Sequence, residues 1–319
     1  MNLELLWNKI KEAESIGISG HLRPDGDCVG SCLGLANYLL DNFGKQAEIF
    51  LEDIPESFRF LKMADRVVTD YPEHEKFDLF IALDSGDLER IGDAAKYFNN
   101  AGYRFCFDHH VTNHGYADEN LVVPEASATS ELLCTVLDNS LISLDTAKCL
   151  FLGIVHDTGV FKHSNTTRLT MECAGKLIEK GVVPSEIIDK TFYEKTYIQN
   201  QILGRTLMES ILLMDGKVIA SSVSLEVQNL YGIKNSDMDG IVDQLRVTKG
   251  VEVAILLKEC SKREWKVSMR SNMCVDVSLI AVKFNGGGHI RAAGCTMNGS
   301  VYDVYNSLTR EIEKQLNRN

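Results

Sequence analysis

Residues 78–87 read DLFIALDSGD. Leu79, Phe80, Ile81, Ala82 and Leu83 are all apolar, with no alternation, so both faces of the segment have to be buried. That is the pattern of a parallel strand covered by helices on two sides. It ends in a carboxylate, Asp84, just before a Ser-Gly turn. The same grammar recurs on either side. SIGISGH (15–21) and AEIFL (47–51) read as strands with a helical pattern at 29–43 between them, and YRFCFD (103–108) follows the turn signal NNAG (99–102) as another strand. LVVPE (121–125) reads as an edge strand, because Pro124 has no N–H to give to a ladder. Helical patterns cover 130–137, 145–154 and 167–179. Strands alternating with helices predict an α/β fold with a doubly wound, mostly parallel sheet.

The chain has 319 residues, more than one core usually serves, so a second domain is expected. All five prolines lie at or before Pro184. A helix-like stretch, SEIIDKTFYEKTYIQNQILGRTL, follows, and beyond it strand patterns lie near 218–225, 251–260 and 264–270, with helical patterns near 236–245, 275–283 and 301–316. The expected division is a first α/β domain at 1–185, a helical linker at 186–205 and a smaller α/β domain at 206–319. With 45% hydrophobic and 24% charged residues the chain falls in the soluble globular class. No apolar run is long enough to cross a bilayer, and MNLELLWNKIKEAES reads as an amphipathic first helix and not a signal peptide. Nine cysteines, an odd number with no CxxC pair, read as reduced thiols in a cytoplasmic protein. The net charge of −12 argues against long duplex nucleic acid as a partner. It leaves room for a small anionic substrate, since divalent cations invert the field of an acidic cleft.

Three expected strands of the first half end in metal-ligand residue types. GHLRPDGD supplies His21, Asp25 and Asp27; LDSGD supplies Asp84 and Asp87; FDHH supplies Asp108, His109 and His110. A later segment, GIVHDTG, adds His156 and Asp157. Ligands of open α/β sheets bind beyond the carboxyl ends of the strands, so these distant residues are expected on one rim. Singly, each is as well explained as a turn or cap residue; together they are not. Carboxylates mixed with imidazoles suit Mn²⁺, Zn²⁺ or Fe²⁺. Two cations roughly 3.5–4 Å apart clamp both the attacking and the leaving oxygens of a phosphoryl transfer.

The ordered segments GHLRPDGDCVGS, ALDSGD, FDHHVTN and GIVHDTGVF resemble the motifs of DHH phosphoesterases. KVSMRS (266–271) and FNGGGHIRAAG (284–294) resemble the DHHA1 substrate-binding domain, so the likeness covers nearly the whole chain. It implies two Mn²⁺ ions, with Mg²⁺ or another divalent metal as the alternative. One would be held by His21, Asp25 and Asp84, the other by Asp27, Asp84, His109 and Asp157. His110 would face the scissile phosphate, and Asp108 would orient the neighbouring histidine. The compact length is most similar to the nanoRNase and pAp phosphatase branch. That implies cleavage of short RNA to mononucleotides and removal of the 3′-phosphate from adenosine 3′,5′-bisphosphate. The same site would serve a cyclic-di-AMP or pApA phosphodiesterase. A RecJ-type exonuclease would need a further nucleic-acid-binding domain, a family-II pyrophosphatase lacks the GGGH segment, and a non-catalytic nucleotide sensor would have lost ligands.

In the second domain, Gly286, Gly287, Gly288 and His289 let backbone approach an anion, and a helix starting at His289 would add its dipole. Arg270, in SMRS, is the expected side-chain partner; Arg23 and Arg291 are further candidates for phosphate. His74 and His114 are expected to be exposed. Cys28 and Trp265 are expected to pack, and His156 to pack or to touch the site. His163 and SNTT (164–167) either meet substrate or cap the next helix. The apolar stretch LISLDTAKCLFLGIV fits either a core or a homodimer interface.

Overall fold

The apolar run at 79–83 is a strand buried on both sides, and alternate residues enter different cores. Leu79, Ile81 and Leu83 join one apolar cluster, Phe80 and Ala82 another. The structure is a computed structural model and describes residues 3–73 and 76–317, so His74 lies outside the described residues. The chain divides between Glu194 and Lys195 into two compact units.

The first unit runs α1 (Leu3–Glu12), β1 (Ile16–Ser19), α2 (Gly26–Phe43), β2 (Glu48–Phe50), β3 (Val67–Val68), β4 (Leu79–Leu83), α3 (Ala95–Asn100), β5 (Tyr103–Asp108), β6 (Glu119–Val122), α4 (Thr129–Val136), α5 (Leu144–Asp157), α6 (Arg168–Glu179) and α7 (Pro184–Ile188). Its six strands are all parallel, in the order β3-β2-β1-β4-β5-β6. The chain builds outward from β1 in one direction, then returns to add β4 on the other side. The gap beyond the ends of β1 and β4 is therefore the switch point, where open α/β sheets bind ligands. On one face the α2 and α5 helices cover the sheet; on the other a ring cluster of Phe50, Phe77, Phe80, Tyr97 and Phe98 fills the space under α3. The α2 and α5 backbones approach closely where both carry glycine. A Cβ on Gly30 would stand 2.5 Å from the Cys149 carbonyl oxygen.

The second unit runs α8 (Tyr197–Met208), β7 (Ile211–Leu213), β8 (Val218–Val223), α9 (Leu225–Tyr231), α10 (Ile241–Arg246), β9 (Val253–Ser261), β10 (Glu264–Ser271), α11 (Val277–Lys283), β11 (Gly287–His289), β12 (Ala292–Asn298) and α12 (Val301–Leu316). Its mixed sheet has the order β11-β12-β10-β9-β8-β7, with only β8 and β9 parallel. Val267, Met269 and Cys295 point into the core under α11 and α12, while Ala254 and Leu256 meet Met238, Val242 and Leu245 on the other face. The helix-like stretch at 186–205 is broken: α7 ends the first unit after a single wide turn at 189–193, and α8 belongs to the second. Among the described residues no helix is long and apolar enough to cross a membrane.

The Gly30–Cys149 contact makes a direct demand on the sequence. Gly30→Ala forces the added methyl against backbone that cannot swing away, and is expected to lower stability by about 1–3 kcal/mol in a denaturant titration. An unchanged midpoint would show that the two helices can separate freely.

Candidate metal centre

The loop after β1 folds back so that His21 is buried beneath it, with Nδ1 2.8 Å from the Leu22 carbonyl oxygen. A carbonyl only accepts, so Nδ1 carries the proton and Nε2 is turned inward. There it lies 3.5 Å from Asp25 Oδ2 and 3.5 Å from Asp84 Oδ2. Asp25 is the N-cap of α2; its Oδ1 accepts from the N–H groups of Asp27 and Cys28 at 3.0 and 3.1 Å, which leaves Oδ2 for the cluster.

Asp27, in the first turn of α2, is wholly buried. Its carboxylate accepts from the N–H groups of Thr129 and Ser130, at 2.6 and 2.9 Å, at the start of α4. A helix N-terminus is a good home for a buried anion. Asp84, the residue after β4, takes a left-handed conformation with φ 53° while its N–H continues the ladder to Phe107. Strain of this kind on a non-glycine residue gathers at functional positions. Thr129 Oγ1 donates to Asp84 Oδ1 at 3.1 Å.

His109 repeats the logic of His21. Its Nδ1 lies 3.2 Å from the Ala126 carbonyl oxygen, and its Nε2 stands 3.1 Å from Asp157 Oδ2, 3.4 Å from Asp84 Oδ1 and 4.0 Å from Asp27 Oδ2. Asp84 thus turns one oxygen to each imidazole. One ligand atom each from Asp27, His109 and Asp157 falls within 4.8 Å of the others, and so does one each from Asp84, His109 and His110. His110 differs from its neighbour. Its Nδ1 donates to Asp108 Oδ1 at 2.7 Å, Asp108 Oδ2 accepts from Asn113 Nδ2 at 2.7 Å, and the ring keeps 31% of its surface exposed, so its Nε2 edge is the accessible one.

Four carboxylates face two imidazoles here, and every ion pair of Asp27, Asp84 and Asp157 among the described residues is with a histidine. Protons stand in for missing positive charge. Burial works against a charged His21, but Asp25 and Asp84 outweigh it and push the imidazole up to about 12. Burial also opposes the charge on His109, yet Asp157 and Asp84 carry it up to about 12. Burial, then the charges of Asp84 and Asp157, hold Asp27 well above the carboxylate range. Asp84 is driven down by His109 and His21 in spite of its burial. A buried acidic nest short of cations, with the Nε2 atoms of two imidazoles aimed into it, is matched chemically to divalent metal.

Some expected residues stand elsewhere. Asp87 is exposed and caps the Arg90 N–H at 2.9 Å. His156 packs between the rings of Phe58 and Phe192, and burial lowers it to about 4. His114 and His163 are exposed, and Thr167 caps α6 while Asn165 Nδ2 ties the Asp157 and Ser127 carbonyls at 3.1 Å each. Cys28, expected to pack, is fully buried but also brings its sulfur into reach of His21 and Asp84. Thr129, Asn113 and Gly153 escaped the sequence reading. A Cβ on Gly153 would meet Asp27 Oδ1 at 2.5 Å, so the glycine makes room for that carboxylate. Asn113 was visible in FDHHVTN; nothing local marks Thr129 or Gly153.

In the second unit no helix begins at His289. Gly287–His289 is the edge strand β11, so the anion-binding dipole expected there is absent. Glycine is required at Gly286, where a Cβ would stand 2.2 Å from the Gly294 oxygen, and at Gly288, with φ 142° and a Cβ 2.5 Å from the Ala292 oxygen. Gly287 is different: a Cβ there meets nothing within 4 Å. The three glycines and Arg270 do line one cavity of about 510 Å³, from whose lining His289 is missing. Arg270 Nε donates to Asp243 Oδ1 at 3.1 Å. Arg291 donates to the carbonyls of Met273 and Val275, and Arg23 lines a separate acidic hollow with Glu52 and Asp70.

Residues 15–154 match the DHH family, N-terminal domain, and residues 215–318 match the DHHA1 domain. The chain is 29% identical to the bifunctional oligoribonuclease and PAP phosphatase NrnA of Thermus thermophilus, covering 99% of this chain and 95% of that protein. It is 27% identical to the protein of the same name from Bacillus subtilis, covering 93% of each. A crystal structure of an exopolyphosphatase-related protein from Bacteroides fragilis matches it with a TM-score of 0.83 at 25% identity, over 98% of this chain and 95% of that one. With its motif residues gathered at the switch point of a parallel sheet and both domains matched in order, the chain belongs to the DHH/DHHA1 family.

Proposed function

We propose that this protein is a two-metal phosphoesterase that hydrolyses short oligoribonucleotides to mononucleotides and adenosine 3′,5′-bisphosphate to AMP. The reading rests above all on Asp84, which offers Oδ2 toward His21 and Oδ1 toward His109. A carboxylate divided in this way is suited to bridging two cations. His21, Asp25 and Asp84 would hold one ion; Asp27, Asp84, His109 and Asp157 would hold the other, with Mn²⁺ among the metals that suit this mixed donor set. The names of the relatives from Thermus thermophilus and Bacillus subtilis support the substrate class.

When bound, the ions neutralise phosphoryl oxygens and lower the pKa of water. The chain's own residues do the rest. Thr129 and the α4 N-terminus fix Asp84 and Asp27 so that the ligand oxygens keep one orientation. His110, raised by its hydrogen bond to Asp108, keeps a proton at Nε2 and presents it to the phosphate or to the departing ester oxygen. Asp108 and Asn113 hold that ring in place. In the second unit Arg270 and the open floor at Gly287 would take an anionic part of the substrate.

With Mn²⁺, the wild type is expected to turn over adenosine 3′,5′-bisphosphate and RNA di- to pentanucleotides and to spare long RNA. Preference for cyclic-di-AMP or pApA in the same panel would move the substrate while keeping the site. Asp84→Asn should lose more than about 100-fold in turnover, since even an outer partner of a ligand is worth 10–100-fold; near-normal turnover would sink the bridging role. Metal must also displace protons. His21 and His109 are protonated far above neutrality without metal and bind it only as neutral rings. Calorimetry at pH 8 in buffers of different ionisation enthalpy should therefore register release of about two protons or more on loading; no release would contradict the ligand set. Gly287→Ala is expected to keep the melting temperature and raise KM several-fold, whereas an unchanged KM would remove the anion from that floor.

A further inference from the structure

The register of the second sheet arranges its open face in rows. Arg270 pairs with Ala292, and Ala292 with His289; Ser268 pairs with Gly294, and Gly294 with Gly287; Lys266 pairs with Thr296 on one side and Lys258 on the other. Directly paired residues share a face, and positions two apart on a strand are about 7 Å apart. Across β11, β12 and β10 the middle row carries nothing larger than a serine. It is a shallow floor with Arg270 on one edge and Lys266 and Lys258 on the other.

The two edges are not alike. Arg270 is partly neutralised by Asp243, 3.1 Å away. Lys258 donates to Asn235 Oδ1. Lys266 is exposed and, among the described residues, its Nζ has neither a hydrogen bond nor an ion pair. It also stands directly opposite Lys258, and like charges in that position repel. An uncompensated cation held against another is an arrangement that an anion relieves.

Lys266, Ser268 and Arg270 form a ridge shared by two cavities. One is the glycine-floored cavity already described. The other, of about 320 Å³, has Met238, Val242 and Leu256 as an apolar wall and Asn235, Ser236 and Asp239 as a polar rim. Each of these three apolar residues is less than a tenth exposed, so only a small part of each meets the cavity, and apolar lining of that kind with donors and acceptors at its edge suits a nucleobase. We propose that this second cavity is a subsite for a second nucleotide, with Lys266 taking the phosphate that links it to the first and the Met238–Leu256 wall taking its base. The inference rests on the phosphoesterase reading and deepens it: the second unit would discriminate an oligomer from adenosine 3′,5′-bisphosphate by an internucleotide phosphate that only the oligomer carries.

The test compares the full-length wild type, Lys266→Gln and Lys266→Arg on adenosine 3′,5′-bisphosphate and a 5′-phosphorylated RNA trinucleotide. In Lys266→Gln the ratio of KM for the trinucleotide to KM for the bisphosphate should rise about tenfold, the worth of one charge-assisted hydrogen bond. Lys266→Arg should restore it, and in Lys266→Gln the salt slope for the trinucleotide should fall by about 1. An unchanged ratio, or a rise shared equally by both substrates, would overturn the subsite. A wild type that hydrolyses neither substrate would instead remove the phosphoesterase reading, and the ratio of dissociation constants for the same two ligands would still decide the subsite.

Discussion

Asp84 and Asp27 are nearly excluded from water, and the first unit is arranged around making that tolerable. An unpaired buried carboxylate is too costly to keep ionised, so each needs directed partners. Asp27 has the first N–H groups of α4; Asp84 has Thr129 Oγ1 and two imidazoles. Those partners come from the segments after β1 and β5 and from the start of α4, which a parallel sheet with a switch point brings to one place. The small residues Gly30 and Gly153 follow from the same constraint. They let α5 approach α2 closely enough for Asp157 and Asp27 to share a site.

The imidazoles show how much of the chemistry is settled by backbone. His21 and His109 each spend Nδ1 on a neighbouring carbonyl, which fixes the tautomer and aims Nε2 into the cluster. His110, one residue on, spends Nδ1 on a carboxylate and keeps its far edge open. Adjacent histidines thus become suited to different tasks, one to coordination and the other to handling a proton. The second unit carries the opposite sign. In a chain of net charge −12, one open sheet face gathers Arg270, Lys266 and Lys258 over a floor of small residues. The acidic nest is suited to metal and the cationic face to phosphate.

Much of this was legible from the chain alone. The unalternating run at 79–83 could only be a strand covered on both faces, and carboxylates and histidines at the ends of such strands had to meet on one rim, because strand direction is uniform in a parallel sheet. Thr129 and Gly153 were not legible, nor was the choice between packing and site contact for His156. Their significance lies in what stands opposite them across more than 20 residues of chain, and no local pattern encodes that. The GGGH segment marks the boundary most clearly. Its composition announced close backbone approach, which Gly286 and Gly288 indeed require. Whether those residues began a helix or edged a sheet was decided by the hydrogen bonds that β12 offered, since glycine has so little conformational preference of its own that its partners choose for it.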